Sequence, residues 1–137
     1  MHVRIYTDGG SRGNPGPSAS AAVIKSLRGT VEGETIAEVA TYLGITTNNQ
    51  AEYTAIVIGL EKAHQLKATQ VEMVMDSELA VKQLTGVYRV KNPGLAPLFL
   101  RISHLKTFFK SVTFRHVRRA FNKEADALVN KTLDAHV

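Results

Sequence analysis

Four acidic side chains stand where this chain could do chemistry: Asp8, Glu52, Asp76 and Asp126. Asp8 closes the alternating, β-prone run His2–Thr7, and Asp76 closes the apolar run Gln70–Met75. In open α/β sheets, ligands bind at that end of the strands. Glu52 falls in the first turn of a helical pattern and Asp126 in the first turn or two of another, so both can open onto the same edge. Each acid alone has a plainer explanation, because the helix macrodipole favours an acid in a first turn and a strand-end Asp often makes a turn. Converging from four places, they could hold cations, which prefer carboxylate oxygen.

Charge supports that reading. The 137 residues carry a net charge of +5, with 17 Lys and Arg against 12 Asp and Glu. From Leu79 through Lys123 there is no acid at all, while Lys82, Arg89, Lys91, Arg101, Lys106, Lys110, Arg115, Arg118, Arg119 and Lys123 fall there. A solvated basic face is the plain account; basic flanks around a few carboxylates also suit a nuclease that attracts phosphate and holds cations. The absence of cysteine excludes disulfides and thiolate metal sites. With 44% hydrophobic and 21% charged residues the composition is that of a globular protein. No apolar run approaches the roughly 20 residues needed to span a bilayer, and Met1–Asp8 lacks the apolar stretch of a secretory signal. A cytoplasmic protein of one domain, residues 1–137, is expected.

The elements that must position the acids follow from pattern. After the strand His2–Thr7, the stretch Gly9–Pro17 reads as a turn-rich loop. Ser20–Leu27 and Thr30–Leu43 read as strands joined by a hairpin turn at Arg28-Gly29. Thr46-Thr47-Asn48-Asn49 supplies capping side chains for a helix from about Asn49 to Lys67, with Tyr53, Ile56, Val57, Leu60 and Ala63 at helical spacing. Gln70–Met75 is a strand, Ser77–Thr85 a short helix stopped by Gly86, and Leu98, Ile102, Leu105 and Phe109 mark another helix. Ser111–Val117 is a strand and Asn122–Leu133 a closing helix. An antiparallel hairpin followed by strands with crossover helices predicts an α/β fold with a mixed five-stranded sheet.

Four segments carry a resemblance. Tyr6-Thr7-Asp8-Gly9-Gly10 with Gly13-Asn14-Pro15-Gly16-Pro17, then Thr46-Thr47-Asn48-Asn49-Gln50-Ala51-Glu52, then Met75-Asp76-Ser77, then Arg115–Leu128 with its Asn122 and Ala125-Asp126, resemble in order the signatures of the type 1 ribonuclease H family. The resemblance runs from about Val3 to Asp134 and implies the ribonuclease H-like fold, with helices on both faces of the sheet. It also implies an endoribonuclease that cuts the RNA strand of RNA–DNA hybrids and leaves 5′-phosphate and 3′-hydroxyl ends. Asp8, Glu52, Asp76 and Asp126 would bind two Mg²⁺ ions, with Mn²⁺ as a substitute and Asp8 between the ions. Such a pair activates the attacking water and stabilises the departing oxygen.

Hybrid is told from plain DNA duplex by the ribose 2′-hydroxyl. Asn14, Asn48 and Gln50 offer amides for it, while Gly9, Gly10 and Ser11 let backbone groups approach the minor groove. Gly10 and Gly13 could equally serve only the turn, and Asn48 only the helix cap; if Thr47 caps instead, Asn48 keeps its amide free, and Thr47 could equally touch a phosphate of the DNA strand. Lys91, Asn92, His116, Arg118 and Arg119 complete the candidate substrate surface. Three departures stand out. There is no Trp, and the span Gly86–Leu98 is short, so the basic protrusion of some relatives is expected to be absent. The mobile His that assists product release in some members has no clear counterpart, since His116 falls at a strand end. No separate hybrid-binding domain is expected before Met1, which makes this the compact form, a monomer without an obligate protein partner. Double-stranded RNA is a second candidate substrate.

Three rivals are weaker. A phosphate-binding P-loop at Gly9–Gly16 lacks the Gly-Lys-Ser/Thr that must follow. A binding module that has lost catalysis would not need all four acids. A structure-specific DNA nuclease would not need the Thr-Asn-Asn-Gln and Asn-Pro-Gly elements.

Overall fold

Alternation in the first strand decides which way the site faces. The computed structural model describes residues 1–137, and β1 (His2–Ser11) buries Val3, Ile5 and Thr7 on one face of a sheet while Arg4, Tyr6 and Asp8 take the other. β2 (Gly16–Arg28) and β3 (Val31–Thr46) continue as an antiparallel meander, β4 (Gln70–Met75) and β5 (Ser111–His116) run parallel to β1, and the sheet order is β3-β2-β1-β4-β5. This is the expected mixed five-stranded sheet.

The helices cover it unequally. α1 (Asn48–Gln65), α2 (Glu78–Leu84) and α3 (Ala96–Lys106) enclose the main core with Val3, Ile5, Ile24, Tyr53, Ile56, Leu60, Met73, Ile102 and Leu105. α4 (Lys123–His136) lies on the opposite face, where Val129 and Leu133 pack on Ala19 and Ala21. Small residues along Ala19–Ala22 let helices approach β2 from both sides, and all four are fully buried. No helix is long and apolar enough to cross a membrane.

One expectation needs correction. Gly9–Pro17 is not a loop throughout: β1 extends to Ser11 and β2 begins at Gly16, so only 12–15 turn. Asp8 is therefore inside β1, paired with Ala21 on the antiparallel side. On the parallel side the ladder with β4 ends one residue earlier, at Thr7 and Met75. Gly9 and Gly10 are glycines for approach rather than for turning. A Cβ on Gly9 would stand 2.2 Å from the Ala51 carbonyl carbon, because the first turn of α1 crosses directly over β1 there. The third helix also differs, starting at Ala96 and ending at Lys106, so that Phe109 packs from the turn beyond it.

Candidate active site

The register places the acids. Thr7 and Met75 are the last partners of the parallel β1–β4 ladder, so Asp8, inside β1, and Asp76, just past β4, stand side by side where that ladder ends. Glu52 is brought to Asp8 by the contact that Gly9 permits, fastened by the Ser20 hydroxyl, which donates to the Ala51 carbonyl at 2.6 Å. Asp126 is brought by Asn122, whose buried amide donates to the Thr7 carbonyl at 2.9 Å and so ties the start of α4 to the residue before Asp8. All four carboxylates line one polar depression of about 450 Å³.

Neighbours orient them. Asn48 Nδ2 donates to Glu52 Oε1 at 2.7 Å, one helical turn away. The Ser77 hydroxyl caps α2 at Ala80, and Ser77 lines a small hollow together with Asp8, Glu52 and Asp76. Arg119 Nη2 lies 3.3 Å from Asp126 Oδ1. Burial raises the Asp8 carboxyl, and Asp76 and Asp126 raise it further, to about 8. Burial also raises Glu52, against the Ser77 hydroxyl and with the charge of Asp76, the amide of Asn48 opposing. Asp76 is raised by burial despite the Arg119 cation. No three His, Asp or Glu side chains close into a ready-made ion cage. The depression thus holds more negative charge than its arginines neutralise, and its donors are oxygen throughout. That set fits a hard divalent cation.

The other predicted residues divide. Gly9, Gly10, Ser11, Asn48 and Arg119 line the depression with the acids. Thr47 caps α1 in a reciprocal box with Gln50, whose amide nitrogen also donates to the Gly94 carbonyl at 3.3 Å. Asn92 Oδ1 accepts from Gly94 N at 2.8 Å, so the turn before α3 is tied to the start of α1. Asn14 Oδ1 accepts from the Asn48 backbone N–H at 3.1 Å, at the rim. His116 ends β5 level with Met75, and both it and Arg118 are exposed beyond the lining. Lys91 stands apart, in a second hollow with Leu79 and Tyr88. Sequence reasoning gave no role to Ser77, Asn122, Arg12 or Asn130, although the first two stand in the quoted motifs. Asn130 was within reach of it, four residues after Asp126 on the same helical face; Arg12 pairs with Asp134, a partner 122 positions away that no local pattern announces.

A mixed sheet with this strand order and four acids gathered where its parallel strands end defines the class: a ribonuclease H-like fold with a candidate metal-dependent hydrolytic centre. The family described as reverse transcriptase-like matches residues 6–132. The crystal structure of RNase H1 from Halobacterium salinarum superimposes with a TM-score of 0.92 at 42% identity, over 98% of this chain and 99% of that one. LC11-RNase H1, solved in complex with an RNA/DNA hybrid, gives 0.89 at 43% identity over 97% of each chain. A bifunctional protein of Mycobacterium tuberculosis is 41% identical over 136 residues, 98% of this chain. This chain spans 36% of that protein's length and 64% of the halobacterial ribonuclease HI. The chain belongs to the type 1 ribonuclease H family.

Proposed function

We propose that the chain hydrolyses the RNA strand of RNA–DNA hybrids as an endonuclease, leaving 5′-phosphate and 3′-hydroxyl ends. One observation carries this: carboxylates from β1, α1, the end of β4 and α4 line a single depression beside Asn48 and the end of β1. Asp8, Glu52, Asp76 and Asp126 would hold two Mg²⁺ ions, or Mn²⁺ in their place. Once bound, the pair supplies a nucleophilic water and neutralises charge on the leaving oxygen.

The protein's own groups do the rest. Asn48 holds Glu52 in position, and Asn122 holds the start of α4 against β1. With its amide nitrogen given to Glu52, Asn48 keeps Oδ1 to accept from a ribose 2′-hydroxyl, which DNA lacks. Backbone groups of Gly9, Gly10 and Ser11 and the amide of Asn14 line the same approach. Gln50 contributes by fixing the 92–94 turn, and Thr47, Lys91, Asn92, His116, Arg118 and Arg119 make the surface met by the phosphates. We assign it as a monomer in a cytoplasmic setting.

The test is a cleavage assay with Mg²⁺ on three labelled duplexes of one sequence: hybrid, double-stranded RNA and double-stranded DNA. Cutting of the RNA strand in the hybrid, lost on chelation, is the expected outcome; cutting of RNA duplex as well would widen the substrate class. Cleavage confined to DNA would remove the assignment.

A further inference from the structure

The depression has a far end that the chemistry above does not use. It runs between the last residues of β1 and one face of α4, from Asp8 and Asp126 at one end to Arg12 at the other. Four residues of strand separate Asp8 from Arg12, about 13 Å. Eight residues of helix separate Asp126 from Asp134, about 12 Å. Arg12 is thus a lining cation roughly that distance from the carboxylates, with its Nη2 2.5 Å from Asp134 Oδ1 and 3.5 Å from the Asn130 carbonyl. Arg119 stands at the near end, on Asp126.

We propose that Arg12 binds a backbone phosphate of the RNA strand, a neighbour of the scissile one, and that Asp134 holds its guanidinium ready until that phosphate takes its place. The proposal rests on the hybrid-cutting reading. A strand with one phosphate over the four acids and its backbone along the depression must pass Arg12. The acids repel phosphate, so cations at both ends are what keeps the strand seated. A guanidinium presents a planar fork of donors that matches phosphate as well as carboxylate, and Asp134 occupies that fork in the free protein. The pair is exposed, at 39% for Arg12 and 69% for Asp134, so it adds little to stability and is free to exchange partners.

The experiment measures binding rather than turnover. In an Asp8→Asn background with Mg²⁺, affinity for a fluorescent hybrid is followed from 50 to 200 mM salt by anisotropy, with Arg12→Ala, Arg12→Lys, Asp134→Asn and the Arg12→Ala/Asp134→Asn pair. Removing one phosphate contact should lower the salt slope by about one, so Arg12→Ala should lose roughly threefold less affinity over that range than its parent, after starting weaker. Arg12→Lys should keep the slope. Asp134→Asn should bind more tightly, and that gain should vanish when Arg12 is Ala. An unchanged slope in Arg12→Ala, or an Asp134→Asn gain of equal size without Arg12, would overturn the proposal. So would an Asp134→Asn that binds more weakly, the mark of an ion pair that only docks α4. If the Asp8→Asn parent shows no hybrid binding at all, the nuclease reading falls first and this falls with it.

Discussion

The same two strands carry two opposite electrostatic arrangements. Arg4 and Glu72 are direct partners on β1 and β4, and their side chains meet at 3.2 Å. Four residues further along each strand, on the same face, stand Asp8 and Asp76. At the first position the charges cancel, and the pairing spreads: Arg115 joins Glu72 at 2.8 Å, Arg4 reaches Glu32, and Lys25 bridges to Glu124 at the start of α4 at 2.6 Å. Tyr6 donates to Glu32 at 2.5 Å. Burial would raise Glu72, but Arg115 and Arg4 outweigh it and hold it below its ordinary value. At the second position burial and two further acids push Asp8 up to about 8. One face of one sheet is thus an alternating lattice of paired ions where it serves the fold, and an unbalanced set of acids where a ligand is to come. The difference lies in which partner the register supplies, not in the backbone.

The sharpest way to break the contrast is to neutralise its centre. Asp8→Asn should lower hybrid cleavage by roughly a thousandfold or more, an effect of the size seen when charge stabilisation at a reacting centre is lost. It should also melt higher than the parent in chelator at pH 8, because a repelling charge is gone. A lower melting temperature in chelator would mean that Asp8 is held by favourable partners after all.

The two ends should also respond to pH in opposite directions. The Asp8 carboxyl is raised in the folded state, so its stabilising effect is complete below its unfolded value near 4 and is lost as pH rises through about 8. Without metal, the chain should lose on the order of a few kcal/mol between pH 5 and pH 8 in urea titrations, and this slope should flatten in Asp8→Asn. Glu72 is lowered, so its contribution is present above its unfolded value and is lost as the solution is acidified through its folded one. Glu72→Gln should therefore weaken the protein at neutral pH by roughly 2 kcal/mol, a partly buried pair losing one member. Its hybrid turnover should stay near the parent's, measured at a temperature where both are folded.

Smaller effects sharpen the picture of how the acids are held. Asn48→Ala frees Glu52 and removes an acceptor at the 2′-hydroxyl approach, and should reduce kcat/KM for hybrid by about tenfold, near 1.4 kcal/mol. Ser77→Ala should cost less, through the cap of α2 and the loss of a hydroxyl from the hollow it shares with Glu52, with KM for hybrid unchanged. Equal losses from the two would assign Asn48 a positioning role only.

Order and type of the elements were legible because their patterns are local: alternation in His2–Thr7, helical spacing through Tyr53–Ala63, a cap at Thr47. So were the four acids, although Asp8, read as closing its strand, stands inside β1. The ends of β1 and β2 were not, because Gly9 and Gly10 carry the composition of a turn while their use is tertiary, the close crossing of α1 over β1. Gln50 looked available for substrate, although Thr47-x-x-Gln50 has the spacing of a reciprocal capping box and could have been read as one. Arg12 and Asn122 depend on partners more than 110 positions away, and only the packed sheet brings those partners into view.

A titration of Mg²⁺ into the metal-free protein, followed by calorimetry in two buffers of different ionisation heat, reads the central claim directly. Below about pH 8 the ion should bind with release of protons, since the Asp8 carboxyl is partly protonated there and must ionise to coordinate. Asp8→Asn should bind far more weakly and release none. Binding of equal strength in that variant, or uptake of Mg²⁺ with no protons released at pH 7, would contradict the account.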